Sequence, residues 1–284
     1  MKIIDPHLHL FDLKRGKYQW LQPASPPYWE DKGLIYRNFQ QQDLILSQAQ
    51  LAGFVHIEAG FDNDAPAKEI AWLQQTITMP FKSIANANLC EPSKRFSDQL
   101  DVLRDYSSVV GVRHIFDDDA ASLLSQPQVI DNLASLARRQ LIFETQLNGT
   151  DTQAIELLVD AAQHTPALTI ILSHQCFCPV GEGRKLWLQN MKILSGCRNI
   201  LIKASGWEMV TRDYAARDVE YVVKQLLAMF GSQRVMLASN FPLCLFRHSY
   251  ESHWQMMKKL SFDSQTLAAL SYHNARKIYG FDAI

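Results

Sequence analysis

A closed α/β barrel of the TIM (β/α)₈ class is predicted by three observations: the length of the chain, a series of eight apolar segments, and the helical patterns alternating with them. At 284 residues the chain is long for one sandwich or bundle and close to the usual size of such a barrel. The first segment is Lys2-Ile3-Ile4, leading into Asp5-Pro6-His7-Leu8-His9. Seven more apolar, β-branched runs follow at 53–58, 82–87, 109–114, 141–145, 168–173, 199–205 and 234–239. From the second onward their centres lie roughly 27 to 35 residues apart, enough for a strand, a crossover helix and two loops. Helical patterns occupy 39–52, 65–78, 93–107, 127–140, 152–164, 184–195 and 214–230. Asp64 and Pro66, Pro92-Ser93 and Asp151 mark helix starts, while Gly53 and Gly231 mark helix ends. Strict alternation implies a parallel sheet, and eight repeats imply that it closes. An open doubly wound sheet is the alternative, but no glycine-rich phosphate turn follows the first strand. No linker or low-complexity tract divides the chain, so residues 1–284 are read as one domain.

Composition excludes several classes of function. Hydrophobic residues at 47% and charged residues at 20% exclude a disordered chain, and a net charge of −1 gives no electrostatic footprint for nucleic acid or an anionic membrane. Five cysteines, an odd and scattered set, do not form a disulfide framework. The N-terminus lacks the basic and apolar pattern of a signal peptide, and no apolar run approaches the length of a membrane span. The expectation is a cytoplasmic protein whose partner is a small-molecule substrate, with no nucleic acid or membrane partner; the subunit number is open, a homodimer included.

One spacing is anomalous. Leu10 to Asn38 separates the first strand from its helix and carries Trp20, Pro23, Pro26, Pro27, Tyr28 and Trp29. It reads either as a lid-like loop over a small polar ligand or as packing at the barrel mouth or a subunit contact.

Active sites of such barrels lie at the C-terminal ends of the strands. The polar residues there are His7 and His9, Glu58, Asn86 or Asn88, Arg113 and His114, Glu144 or Gln146, His174, Lys203 and Ser205, and Asn240. His7 and His9, two apart on a strand, share a face and could hold a cation or polarise a carbonyl. Glu58 could serve the site or form an ion pair with Arg113 or Lys203, and His174 could be a satisfied core residue. His174, Cys176 and Cys178 form a string that lacks structural zinc spacing and reads as a loop.

These residues resemble the amidohydrolase-related TIM-barrel hydrolases, specifically the sugar-acid lactonase and 2-pyrone-4,6-dicarboxylate lactonase-like branch. The resemblance runs along nearly the whole chain: Asp5-Pro6-His7-Leu8-His9, Tyr18-Gln19-Trp20-Leu21, His56-Ile57-Glu58-Ala59, Val112-Arg113-His114, His174, Lys203-Ala204-Ser205-Gly206, Ser239-Asn240-Phe241-Pro242 and Asn274-Ala275-Arg276. It implies hydrolysis of a lactone, ester or amide, with His7, His9 and His174 around the carbonyl, with a divalent metal in some members and none in others. It also implies an aspartate after the eighth strand, where this chain has Asn240. An amide can neither take a proton from water near neutral pH nor act as an anionic ligand. No histidine ends the fifth strand, which disfavours a two-metal site.

The expected activity is therefore that of a lactonase-like hydrolase. Its catalytic set is His7, His9, Glu58, His174 and Asn240, and Trp20, Arg113, His114, Lys203 and Ser205 contact substrate. One Zn²⁺ on His7, His9, His174 and Glu58, or no metal, completes the site. The alternatives are a ligand-binding barrel impaired by Asn240 and a non-oxidative decarboxylase.

Overall fold

Eight strands form where the apolar segments lie in the computed structural model, which describes residues 1–281: β1 (Lys2–Leu8), β2 (Gln50–Ile57), β3 (Phe81–Asn86), β4 (Val109–Arg113), β5 (Ile142–Thr145), β6 (Ile170–Leu172), β7 (Ile200–Ala204) and β8 (Val235–Leu237). Neighbours pair in parallel in that order. β1 and the chain after β8 then meet: the His9 amide donates to the Phe241 carbonyl at 2.6 Å and the Asn240 amide to the His7 carbonyl at 2.9 Å. Asp5 reinforces the seam, one carboxylate oxygen accepting from the Ser239 amide at 3.1 Å.

The crossovers carry α1 (Ala67–Thr76), α2 (Ser93–Arg104), α3 (Ala120–Leu124), α4 (Pro127–Arg138), α5 (Thr152–His164), α6 (Arg184–Ser195), α7 (Trp207–Val210) and α8 (Ala216–Phe230). The helix expected over 39–52 does not form. A single 3₁₀ turn, Gln41–Asp43, stands there, and β2 already begins at Gln50, paired with Lys2. Long-range packing overrides the local periodicity: Phe39 pairs with Phe11 by backbone hydrogen bonds and stacks edge-on against Phe11 and Phe241. Gly53, expected to follow a helix end, lies within β2, where a Cβ would come 2.9 Å from the Pro80 carbonyl oxygen.

The barrel is plugged from below by the end of the chain. After α9 (Tyr250–Lys258) and α10 (Ser264–Ala268), a π-helical turn at Ala269–His273 leads into α11 (Asn274–Tyr279). Tyr272, Ala275 and Tyr279 join Ile4, Val55, Ile84, Ile142, Ile171, Leu201 and Met236 in one buried interior cluster. Asn274 holds the plug by donating to the carbonyls of Ser232 and Val235. A second, larger cluster fills the space between strands and helices.

A β-bulge aims the first site residues. Three steps on β1, from Asp5 to Leu8, span two steps on β2, from Phe54 to His56. Ile4 points inward and Asp5 reaches outward to the Tyr250 hydroxyl in α9, at 3.1 Å. Simple alternation would send His7 outward with Asp5, and the extra residue turns it in, as bulges beside sites commonly do. His7 and His9 then flank the outward Leu8, as expected.

The segment from Leu10 to Asn38 is fastened by its own lysine. Lys32, 6% exposed, donates to the carbonyls of Trp20, Gln22 and Ser25 at 3.0, 3.2 and 2.6 Å. Among the described residues no helix is long and apolar enough to cross a membrane.

Candidate active site

Above the apolar plug lies one buried ion pair. Lys203 and Glu144, both without solvent exposure, meet at 2.5 Å, and the Tyr279 hydroxyl donates to the other Glu144 oxygen at 2.7 Å. Lys203 follows Leu201 at the two-residue step of an inward face, so its cation has to find an anion inside the barrel. Burial nevertheless pushes its ammonium down to about 8, against the opposing pull of Glu144.

The histidines rest on this pair. Lys203 makes a long contact, 3.5 Å, to Nδ1 of His7. The His7 ring lies 4.6 Å from that of His174 and 5.1 Å from that of His9, centroid to centroid. His9 lies at the cavity, its Nδ1 2.8 Å from the Ile57 carbonyl. A carbonyl only accepts, so His9 carries its proton on Nδ1 and keeps a lone pair on Nε2. The reverse holds for His7. An ammonium only donates, so Nδ1 of His7 is the acceptor, and Nε2, buried without a partner, bears the proton. Burial first, then neighbouring cations, holds His7 and His9 well below the ordinary histidine value; burial and then Arg113 push His174 down to about 3.

His174 sits on strained backbone. His174, Gln175, Cys176 and Phe177 are four consecutive residues with φ of 56°, 43°, 54° and 53°. Each left-handed non-glycine residue costs about 1–2 kcal/mol. The run is held by outside contacts: the Trp187 indole donates to the Gln175 carbonyl and the Gly149 amide to the Cys176 carbonyl. The His174 ring contacts the Ser205 hydroxyl at 3.0 Å and packs over Gly206, where a Cβ would come 2.5 Å from Nδ1. Gly206 also has φ of +68°. A Gly206→Ala substitution is expected to cost at least about 1–2 kcal/mol from backbone strain alone, and to displace His174 as well. Urea unfolding of the variant measures it; an unchanged midpoint would remove this account of the glycine.

Glu58 and Arg113 form the second ion pair. Arg113 donates through Nε to a Glu58 carboxylate oxygen at 2.9 Å and through Nη2 to the Glu58 carbonyl at 2.7 Å. The other Glu58 oxygen accepts from the Gly60 amide at 3.2 Å. Both oxygens are thus engaged, which fixes the guanidinium as a positive charge at the cavity wall and leaves Glu58 little capacity as a metal ligand or free base.

These elements bound a cavity of about 1580 Å³. Of the residues expected at the site, His9, Trp20, Glu58, Arg113, His114, His174 and Asn240 line it, whereas His7, Lys203 and Ser205 lie buried beneath. The long segment after β1 contributes Trp20, Pro26, Pro27 and Trp29 to the wall. Trp20 is anchored by its indole N–H on the Ala59 carbonyl at 2.8 Å.

Sequence reasoning missed Glu208. It lies in α7 without solvent exposure, and one of its oxygens accepts from the Asn240 side-chain amide at 2.6 Å. Burial pushes its carboxyl up to about 7. Nothing local marks it, because its partner comes from the loop after β8. His56 was also missed: beside His9, it is bonded to buried Glu69 at 3.0 Å.

The donor set does not fit a zinc ion. Nδ1 of His7 faces the Lys203 ammonium, Glu58 is held by Arg113, and Asn240 is an uncharged amide. The cations of Lys203 and Arg113 add repulsion. Among the described residues no group of three His, Cys, Asp or Glu side chains is placed to hold a metal ion, the string from His174 to Cys178 included.

Three comparisons place the chain. The amidohydrolase family model matches residues 4–281. A Sinorhizobium fredii protein described only as uncharacterized protein y4mH is 30% identical over 98% of each chain. Among solved structures, a Burkholderia multivorans amidohydrolase with bound zinc superposes with a TM-score of 0.81 at 17% identity over 99% of each chain. A Pseudomonas putida protein assigned as a 2-pyrone-4,6-dicarboxylic acid hydrolase gives 0.75 at 18% identity, over 99% of this chain and 98% of its own. At these identities the structural likeness carries the fold alone.

Proposed function

Because the chain belongs to the amidohydrolase family, we propose that it is a hydrolase opening the lactone ring of a neutral, polyhydroxylated sugar acid, without a metal. The observation that carries this reading is the meeting, at one cavity, of the His9 lone pair with the fixed guanidinium of Arg113. His9 would take a proton from water as its oxygen attacks the lactone carbon. Arg113 would stabilise the oxyanion that develops. As the ring C–O bond breaks, protonated His9 would return the proton to the leaving alkoxide, giving a hydroxy acid.

The wall favours a neutral substrate over a dicarboxylate. It carries six carboxyl groups, Glu58, Asp64, Glu91, Asp98, Asp117 and Asp118, against two guanidiniums, Arg95 and Arg113. Both guanidiniums are already paired, with Glu91 and Glu58. Side-chain amides such as Asn86, Asn88 and Gln146, with Trp20 and Trp29, suit hydroxyl groups and the apolar face of a sugar ring. The segment bearing Trp20 and Trp29 would cover such a ligand.

The test is a panel of neutral aldonolactones and dicarboxylate lactones, assayed by acid release with chelator or with added zinc. Turnover of neutral lactones, at least about tenfold better in kcat/KM than dicarboxylates and insensitive to chelator, is expected. No hydrolysis under either condition overturns the reading in favour of an impaired binding barrel, and carbon dioxide release from an aromatic acid would make the protein a decarboxylase.

A further inference from the structure

The pairing of Asn240 with Glu208 leaves two buried oxygens idle. Asn240 is 1% exposed and lines the cavity; its NH₂ donates to one Glu208 oxygen, and its own Oδ1 has no partner. Glu208 is fully buried, outside the cavity lining, and its second oxygen is likewise unpartnered. Unpartnered buried polar atoms are costly, so both call for a ligand or a rearrangement that satisfies them. Asn240 has φ of 57°, a left-handed conformation that asparagine tolerates, and this fixes the direction of the side chain.

We propose that Glu208 is the positioning residue for Asn240, and that its charge decides which end of the Asn240 amide is offered to the reacting water. An ionised carboxylate only accepts, so it holds the NH₂ end and leaves Oδ1 to accept a hydrogen bond from the attacking water. A protonated carboxyl can donate to Oδ1; the amide then turns about its last torsion and offers NH₂ to the cavity. A donor there cannot orient a water whose hydrogen must point at it. Where the resemblance expects an aspartate, this chain would thus have an amide whose polarity is set from behind by a buried acid. The inference rests on the hydrolase reading for its catalytic consequence, but not for the amide geometry.

Two carboxyls near Asn240 titrate toward neutrality: Glu208, which bonds its side chain, and Asp5, pushed up to about 6 by burial, which accepts from the Ser239 amide and does not bond the Asn240 side chain. Arg212, just beyond α7, donates to the Glu208 backbone carbonyl and to the Asp31 carboxylate. Tyr214 faces it from the next segment and Cys244 from the turn Leu243–Phe246; burial and the Glu208 charge push both groups up, the thiol well above 9. His248, whose ring packs against Tyr214, is held below the ordinary value by burial. Burial moves Glu208 itself to about 7.

The experiment follows the side-chain amide directly, without substrate. In protein labelled with ¹⁵N-asparagine, the Asn240 NH₂ signal is identified by its loss in Asn240→Asp and followed from pH 5 to 9. We expect one transition near neutrality, coincident with the titration of a glutamate carboxyl in ¹³C-labelled wild type, and absent in Glu208→Gln. An amide that does not move, moves without a coincident carboxyl, or moves unchanged in Glu208→Gln overturns the proposal. The first two outcomes come from wild type, so a poorly folding variant does not protect it. Once a substrate is found, kcat of wild type should fall as pH drops through this transition, and Glu208→Gln should lose that limb while KM stays within about twofold. A lactone panel that yields no turnover counts against the hydrolase reading alone.

Discussion

Replacing Lys203 with methionine should destabilise the protein by about 3–5 kcal/mol, because it strands a carboxylate rather than merely deleting a contact. Lys203 and Glu144 have no solvent exposure, and the ammonium is the cation that Glu144 meets. After the substitution Glu144 keeps one neutral donor, the Tyr279 hydroxyl. The double variant Lys203→Met with Glu144→Gln should recover most of the loss, since removing both charges of a buried pair is often close to neutral. Urea unfolding at pH 7 measures both variants; a loss under about 1 kcal/mol for Lys203→Met would mean that water or rearrangement satisfies Glu144.

The barrel was legible in the sequence wherever one face of an element repeats. Strands such as Val109–Arg113 and helices such as Thr152–His164 carry a periodicity set by local geometry, and the structure ends them within a few residues of the expected bounds. Residues 39–52 failed because a helical spacing of apolar groups there is consumed by contacts with Phe11 and Phe241, far apart in the chain. The C-terminal plug went unread for a related reason: Tyr272 and Tyr279 fill the barrel's base, a place that exists only once the sheet has closed. The site divides in the same way. His7, His9, Arg113 and His174 stand out as costly polar residues at strand ends; the structure sets His9, Arg113 and His174 at one cavity and packs His7 beneath it against both other imidazoles. Charge accounting could have paired Lys203 with Glu144, since both lie on inward positions of neighbouring interior layers. No such signal reaches Glu208, whose relation to Asn240 spans two loops and appears only in three dimensions.

Replacing His9 with alanine should lower kcat by about 10²–10⁴-fold on the best lactone of the panel, the usual contribution of a general base, while the fold survives. The side chain is neutral in the folded protein: burial, then Arg113 and His56, holds its pKa well below 6.5. Its loss therefore strands no charge and removes one hydrogen bond, to the Ile57 carbonyl, worth about 1 kcal/mol. Neutrality also keeps the lone pair available as pH falls below 6.5. In the Glu208→Gln background the remaining acid limb should accordingly lie well below that value. Added imidazole should restore part of the activity of His9→Ala by entering the vacated space with its own lone pair, whereas a zinc ligand lost from His9 would be answered by added metal instead. Less than about a tenfold loss in a well-folded variant would remove His9 from the proton transfer. Rescue by zinc and not by imidazole would return the site to the metal-dependent members of the family.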